Sequence, residues 1–166
     1  NNKIGIELEV QNGPWRDWYH NDRFDLSQHW RMVEDGSLDS RGMEFVSPPL
    51  EPKEALDSFN KLVENIKNRS NARGDSGCGL HFHIGLDEKS IPKDPYNHPE
   101  FREVEDRIIA FIKRHEKTQK FDTLFTEDRY ENDYCTLAPC IKQGRYYAVN
   151  FDSIEKHGTI EIRFCA

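Results

Sequence analysis

Three short segments of this chain alternate strictly between aliphatic or aromatic residues and ionisable ones, and that alternation limits the possible folds more than any other feature. In IGIELEV, residues 4–10, Ile4, Ile6, Leu8 and Val10 alternate with Gly5, Glu7 and Glu9. In LHFHIG, Leu80, Phe82 and Ile84 alternate with His81 and His83; in TIEIRF, Ile160, Ile162 and Phe164 alternate with Glu161 and Arg163. Successive strand side chains point to opposite faces, so each segment has one apolar face and one face carrying two ionisable groups. A single strand of this kind could simply turn its charges to solvent. The recurrence of one chemical theme in three strands instead predicts a sheet with a covered aliphatic side and a second side that gathers carboxylates, imidazoles and a guanidinium. Carboxylates gathered at low dielectric repel one another unless protonated or neutralised, so this second side is a candidate cation site.

The remaining pattern fills in the architecture. WRMVEDGS reads as a strand broken at Asp35-Gly36, and MEFVS as its hairpin partner, stopped by Pro48-Pro49. The period then changes: in EPKEALDSFNKLVENIKNR, residues 51–69, Ala55, Leu56, Phe59, Leu62, Val63 and Ile66 recur at helical spacing. A second long helix is expected over 98–119, with Val104, Ile108, Ile109, Phe111 and Ile112 inward. RYYAVNF and TIEIRFCA read as two closing strands joined by a short turn around His157-Gly158. About six strands and two long helices predict an α+β fold, a mainly antiparallel sheet with helices packed on one face.

Length and charge bound the function. The 166 residues, 1–166, fit one domain with a real core, although only 36% are hydrophobic and mean hydropathy is -0.87. A formal charge of -7 disfavours nucleic acid as a partner and favours cations. No apolar run reaches the roughly 20 residues of a membrane span, and no signal peptide is evident at the start. Cys78, Cys135, Cys140 and Cys165 show no CxxC pairing, so reduced thiols in a cytoplasmic protein are expected rather than a zinc ribbon or a disulfide framework. The chain stops within a strand pattern, and more chain is expected beyond Ala166.

Carboxylates beside an imidazole suit Mg²⁺ or Mn²⁺, with zinc the rival for His81 and His83. Asp35 and Glu44 bracket the hairpin and are further ligand candidates; each also has an ordinary reading, Asp35 as turn chemistry and Glu44 as a hairpin carboxylate. Arg145 and Arg163 could grip phosphate oxygens in forked geometry or pair with neighbouring glutamates, and Asn150 lies near Arg145 in the fifth strand.

The ordered set GIELE, DGS, MEFVSPPL, GCGLHFHIG, RYYAVNF and TIEIRF resembles the amidoligase family, a branch of the carboxylate-amine ligases with the glutamine synthetase-like fold. That resemblance implies a curved sheet with its active site on the concave face opposite the helices, ATP as substrate, and two or three divalent ions. It implies metal ligation by Glu7, Glu9, Asp35, Glu44, His81 and Glu161, one ion with Glu9, Asp35 and Glu44 and another with Glu7, His81 and Glu161. His83 and Arg145 would face the nucleotide phosphates, with Asn150 and Arg129 as lesser contacts and Arg163 on the transferring phosphoryl group or substrate carboxylate. Catalytic roles would thus fall to His83, Glu161 and Arg163. The implied reaction joins a small-molecule or peptide carboxylate to an amine through an acyl phosphate, in a chain that could be part of an oligomer. The acidic pair here is Asp35 with Glu44, where better-known synthetases use two glutamates. Two other readings are a guanidino-kinase-like phosphotransferase on the same sheet and an inactive metal- or nucleotide-binding module.

Overall fold

The computed structural model describes residues 2–14, 30–36, 38, 41–74, 78–115, 136–140, 144 and 146–165. The fold is α+β. Strands β1 (Ile4–Val10), β2 (Arg31–Val33), β3 (Met43–Val46), β4 (Gly79–Gly85), β5 (Val149–Asn150) and β6 (Thr159–Cys165) form one open sheet in the order β2-β3-β1-β4-β6-β5. Every pairing is antiparallel. Helices α1 (Pro52–Arg69), α2 (Pro99–His115) and α3 (Asp152–His157) are the α-helices among the described residues.

Local chemistry sets the boundaries of α1. Pro52 stands at the first turn, where its missing N–H costs nothing, and Lys67 and Arg69 lie near the negative end of the helix dipole. The Ser70 N–H and hydroxyl both donate to the Ile66 carbonyl and close the helix. Ala55, Leu62 and Ile66 of its buried stripe pack in one cluster with Ile6, Val10, Met43, Phe45 and Leu80. Trp30 completes that core, its indole N–H donating to Ser58 Oγ at 2.7 Å. A second cluster unites Phe101 and Ile109 of α2 with Val149, Phe151, Ile154, Ile160 and Cys140.

Three expected core positions are corrected. Leu56 is 59% exposed, and Val104 and Phe111 are exposed as well. In α2 the buried positions are 101, 105, 109 and 112, one place out of phase with Val104 and Phe111. The cause is Glu105, a fully buried carboxylate at an inward position of the helix, where a charged residue is uncommon. It accepts hydrogen bonds from the Cys140 N–H and from Arg102, whose guanidinium also donates to the Tyr96 and Cys140 carbonyls.

The last third differs from the expected pair of strands. β5 is only two residues long, and α3 replaces the short turn. Asp152 N–H donates to Asn150 Oδ1 at 2.9 Å and starts the helix, while Gly158 ends it at φ 66, a left-handed conformation that glycine adopts without strain. No helix among the described residues is long and apolar enough to cross a membrane.

Candidate active site

Strand register assembles the site. Glu9 stands opposite Glu44; Glu7 opposite His81, which stands opposite Arg163; and His83 opposite Glu161, which stands opposite Asn150. Directly paired residues in antiparallel strands share a face, so these eight side chains, drawn from five strands, belong to one side of the sheet. Asp35 joins them from the segment after β2, where its carbonyl accepts from Leu38 N–H.

Two groups of ligand atoms result, each with its members within 4.8 Å of one another: Glu9, Asp35 and Glu44, and Glu7, His83 and Glu161. In the second group His83 Nε2 lies 3.2 Å from Glu7 Oε1. His81, the histidine that the family resemblance assigns to this ion, sits beside it: its Nδ1 is 3.3 Å from Glu7 Oε2 and 3.6 Å from Glu161 Oε1. Both imidazoles therefore reach Glu7. Glu161 is held from two sides, with Arg163 donating to Oε1 at 2.7 Å and Asn150 Nδ2 donating to Oε2 at 2.6 Å. Arg129 and Arg145 lie outside the described residues.

The electrostatics of the two groups differ. Burial alone would raise the Glu7 carboxyl, but hydrogen bonds and charge from His81 and His83 outweigh it and hold Glu7 well below the usual carboxylate range. Burial likewise opposes the charged form of His83, yet Glu7 and then Glu161 push it upward. Opposite charges thus offset one another within this group. At the other group, burial raises Glu44 to about 7, reinforced by Glu7, Glu9 and Asp35, and burial with Asp35 also raises Glu9. Crowding in this group thus favours the neutral forms of Glu9 and Glu44.

Sequence reasoning missed two hydroxyls behind His83. Its Nδ1 lies 3.1 Å from Thr159 Oγ1 and 3.3 Å from Ser153 Oγ, and the two hydroxyl oxygens are 2.6 Å apart. Thr159 could have been found, since it shares the parity of Glu161 and Arg163 in β6. Nothing pointed to Ser153 while α3 was read as part of a turn. Cys78 and Cys140 carry buried thiols, and burial pushes Cys140 up to about 11.

An antiparallel α+β sheet with carboxylates, imidazoles and a guanidinium gathered on one face defines the class. Within it, the chain belongs to the amidoligase family, whose model, described as "Putative amidoligase enzyme", matches residues 6–98. The match runs from within β1 through the whole segment between β4 and α2 and includes Glu7, Glu9, Asp35, Glu44, His81 and His83; Asn150, Glu161 and Arg163 lie beyond it. No curated protein and no solved structure matches the chain.

Proposed function

We propose that the chain is an ATP-dependent carboxylate-amine ligase with a glutamine synthetase-like sheet, working on the face that carries the two ligand groups. The observation that supports this reading most is the meeting of Glu9, Asp35 and Glu44 within 4.8 Å, beside Glu7, His83 and Glu161. The donors fit hard divalent cations: oxygen ligands predominate, and burial together with the charges of Glu7, Glu9 and Asp35 raises Glu44 to about 7. Glu9, Asp35 and Glu44 would hold one Mg²⁺ or Mn²⁺, and Glu7, His83 and Glu161, with His81 alongside, another. Such ions would offset the charge that accumulates where a carboxylate meets a triphosphate.

The chain's own groups have definite tasks in this reading. Arg163, paired with Glu161 at 2.7 Å, would bring its positive charge to the phosphoryl oxygens. Asn150 fixes the Glu161 carboxylate from its other side. The substrate carboxylate oxygen attacks the γ-phosphorus of ATP, and ADP leaves. An amine nitrogen then attacks the acyl carbon, phosphate leaves with the C–O bond pair, and the nitrogen loses a proton to give the amide. Holding the reactants in line and stabilising developing charge supply most of the acceleration in such phosphoryl transfers.

The test incubates the protein with ATP, Mg²⁺ and pooled amino acids, peptides and amines, following ADP and phosphate release together with new amide masses. Amide formation abolished by Glu7→Gln is expected. Transfer of phosphate to a stable guanidino product would replace the ligase reading with a kinase, and no nucleotide turnover with any carboxylate would sink it.

A further inference from the structure

We infer that Ser153 and Thr159 are positioning residues that hold the His83 imidazole by Nδ1, leaving Nε2 buried beside the Glu7 carboxylate. This deepens the reading proposed above and rests on it for its functional consequence. An imidazole on a strand can rotate about two side-chain bonds, and carboxylates on either side of it do not select one orientation. Here the ring is fixed from behind. Its Nδ1 meets Thr159 Oγ1 at 3.1 Å and Ser153 Oγ at 3.3 Å, and its Nε2 is 3.2 Å from Glu7 Oε1. The ring of His157 packs edge-on against it, with centroids 6.0 Å apart.

The fold builds this support from two elements. Ser153 comes from the first turn of α3 and is buried; Thr159 opens β6, opposite Gly85 and on the same face as Glu161. The chain reversal at Gly158 folds six residues back on themselves and brings the two hydroxyls to 2.6 Å. Each hydroxyl can donate and accept, so the pair satisfies a ring N–H while remaining bonded internally. A histidine whose second nitrogen is anchored presents its first at a fixed angle, and loss of such anchors typically weakens metal affinity by about 10–100-fold.

Two measurements test the assignment. In metal-free protein labelled with ¹⁵N-histidine, the His83 Nδ1 proton should exchange slowly with solvent. That signal should persist in Thr159→Ser and vanish in the Ser153→Ala/Thr159→Val double variant. Mn²⁺ affinity should fall roughly tenfold or more in the double variant and return to the wild-type value in Thr159→Ser. A rapidly exchanging Nδ1 proton in the wild-type protein overturns the inference without recourse to any variant, as does a double variant that keeps full Mn²⁺ affinity. A wild-type protein that keeps the protected proton yet binds no Mn²⁺ supports the ring orientation and removes the cation reading instead.

Discussion

Gly79 shows how closely the site depends on single atoms. A Cβ at this position would lie 2.5 Å from His81 Nε2 and 3.1 Å from Glu9 Oε2, so the missing side chain is what lets the buried imidazole and a carboxylate share the space. Gly79→Ala should displace His81 and weaken Mn²⁺ binding, and cost about 1–3 kcal/mol of stability as overpacking does; cation titration and urea denaturation measure the two effects, and an unchanged affinity would mean that His81 has room to move. Glu105 is the opposite case, a side chain whose loss leaves others stranded. Glu105→Ala removes the acceptor for the Cys140 N–H and a partner of Arg102, and should destabilise the protein by roughly 3 kcal/mol, read from the urea midpoint. Neither residue advertised its role in the sequence. Glu105 sits in a helix rich in exposed charges, and Gly79 begins a strand; only the packed neighbours distinguish them. Glu7 with Glu9, His81 with His83 and Glu161 with Arg163 were legible as pairs, because strand parity puts each pair opposite the aliphatic face of its own strand; register then joins the pairs on one side of the sheet.

The helix α3 is the element that sequence pattern did not reveal, and it carries half of the support behind His83. Its six residues are too few for a helical hydrophobic period, and the aromatic run before it imitates a strand. The usable signals were the Asn150 side chain ahead of Asp152 and the glycine that closes the helix. By contrast, the meeting of Glu9 with Glu44 was within reach, because hairpin neighbours and an alternating partner strand leave few registers. Asp35 needed the turn geometry, which its side chain chemistry does not specify. Gly158 tests the element directly. It has φ 66 and open space around a would-be Cβ, so Gly158→Ala brings backbone strain with no steric clash. The expected loss is about 1–2 kcal/mol, together with faster solvent exchange of the His83 Nδ1 proton as Ser153 moves away from Thr159. A variant as stable as the parent, with an unchanged ring signal, would show that α3 does not depend on this reversal.

Taken over the whole molecule, the ionisable face makes stability depend on pH in a direction that cations should reverse. Glu44 has its folded value raised from 4.5 to about 7, so the native state binds its proton more tightly than the unfolded chain does. Its contribution to stability is complete below about 4.5 and is lost as pH rises through about 7. Glu9 is raised as well and acts in the same sense. His83 is raised from 6.5, so its contribution too is present below that value and fades as pH climbs past its folded value. Glu7 works oppositely: depressed from 4.5, it stabilises the protein above that pH and loses its effect only in stronger acid. Metal-free protein should therefore lose stability between about pH 5 and pH 8, on the order of 1–2 kcal/mol from Glu44 after allowance for screening by solvent. A divalent ion that binds only the native state adds stability according to its concentration over Kd, about 2.7 kcal/mol at a hundredfold excess. Because protons compete with it for Glu44 and Glu9, Mg²⁺ should raise Tm more at pH 8 than at pH 5. Glu44→Gln should flatten the metal-free profile and shrink the Mg²⁺ response. Thermal unfolding at the two pH values, with and without Mg²⁺, separates the possibilities: equal Mg²⁺ shifts at pH 5 and pH 8 in both proteins would mean that the ion does not bind at these carboxylates.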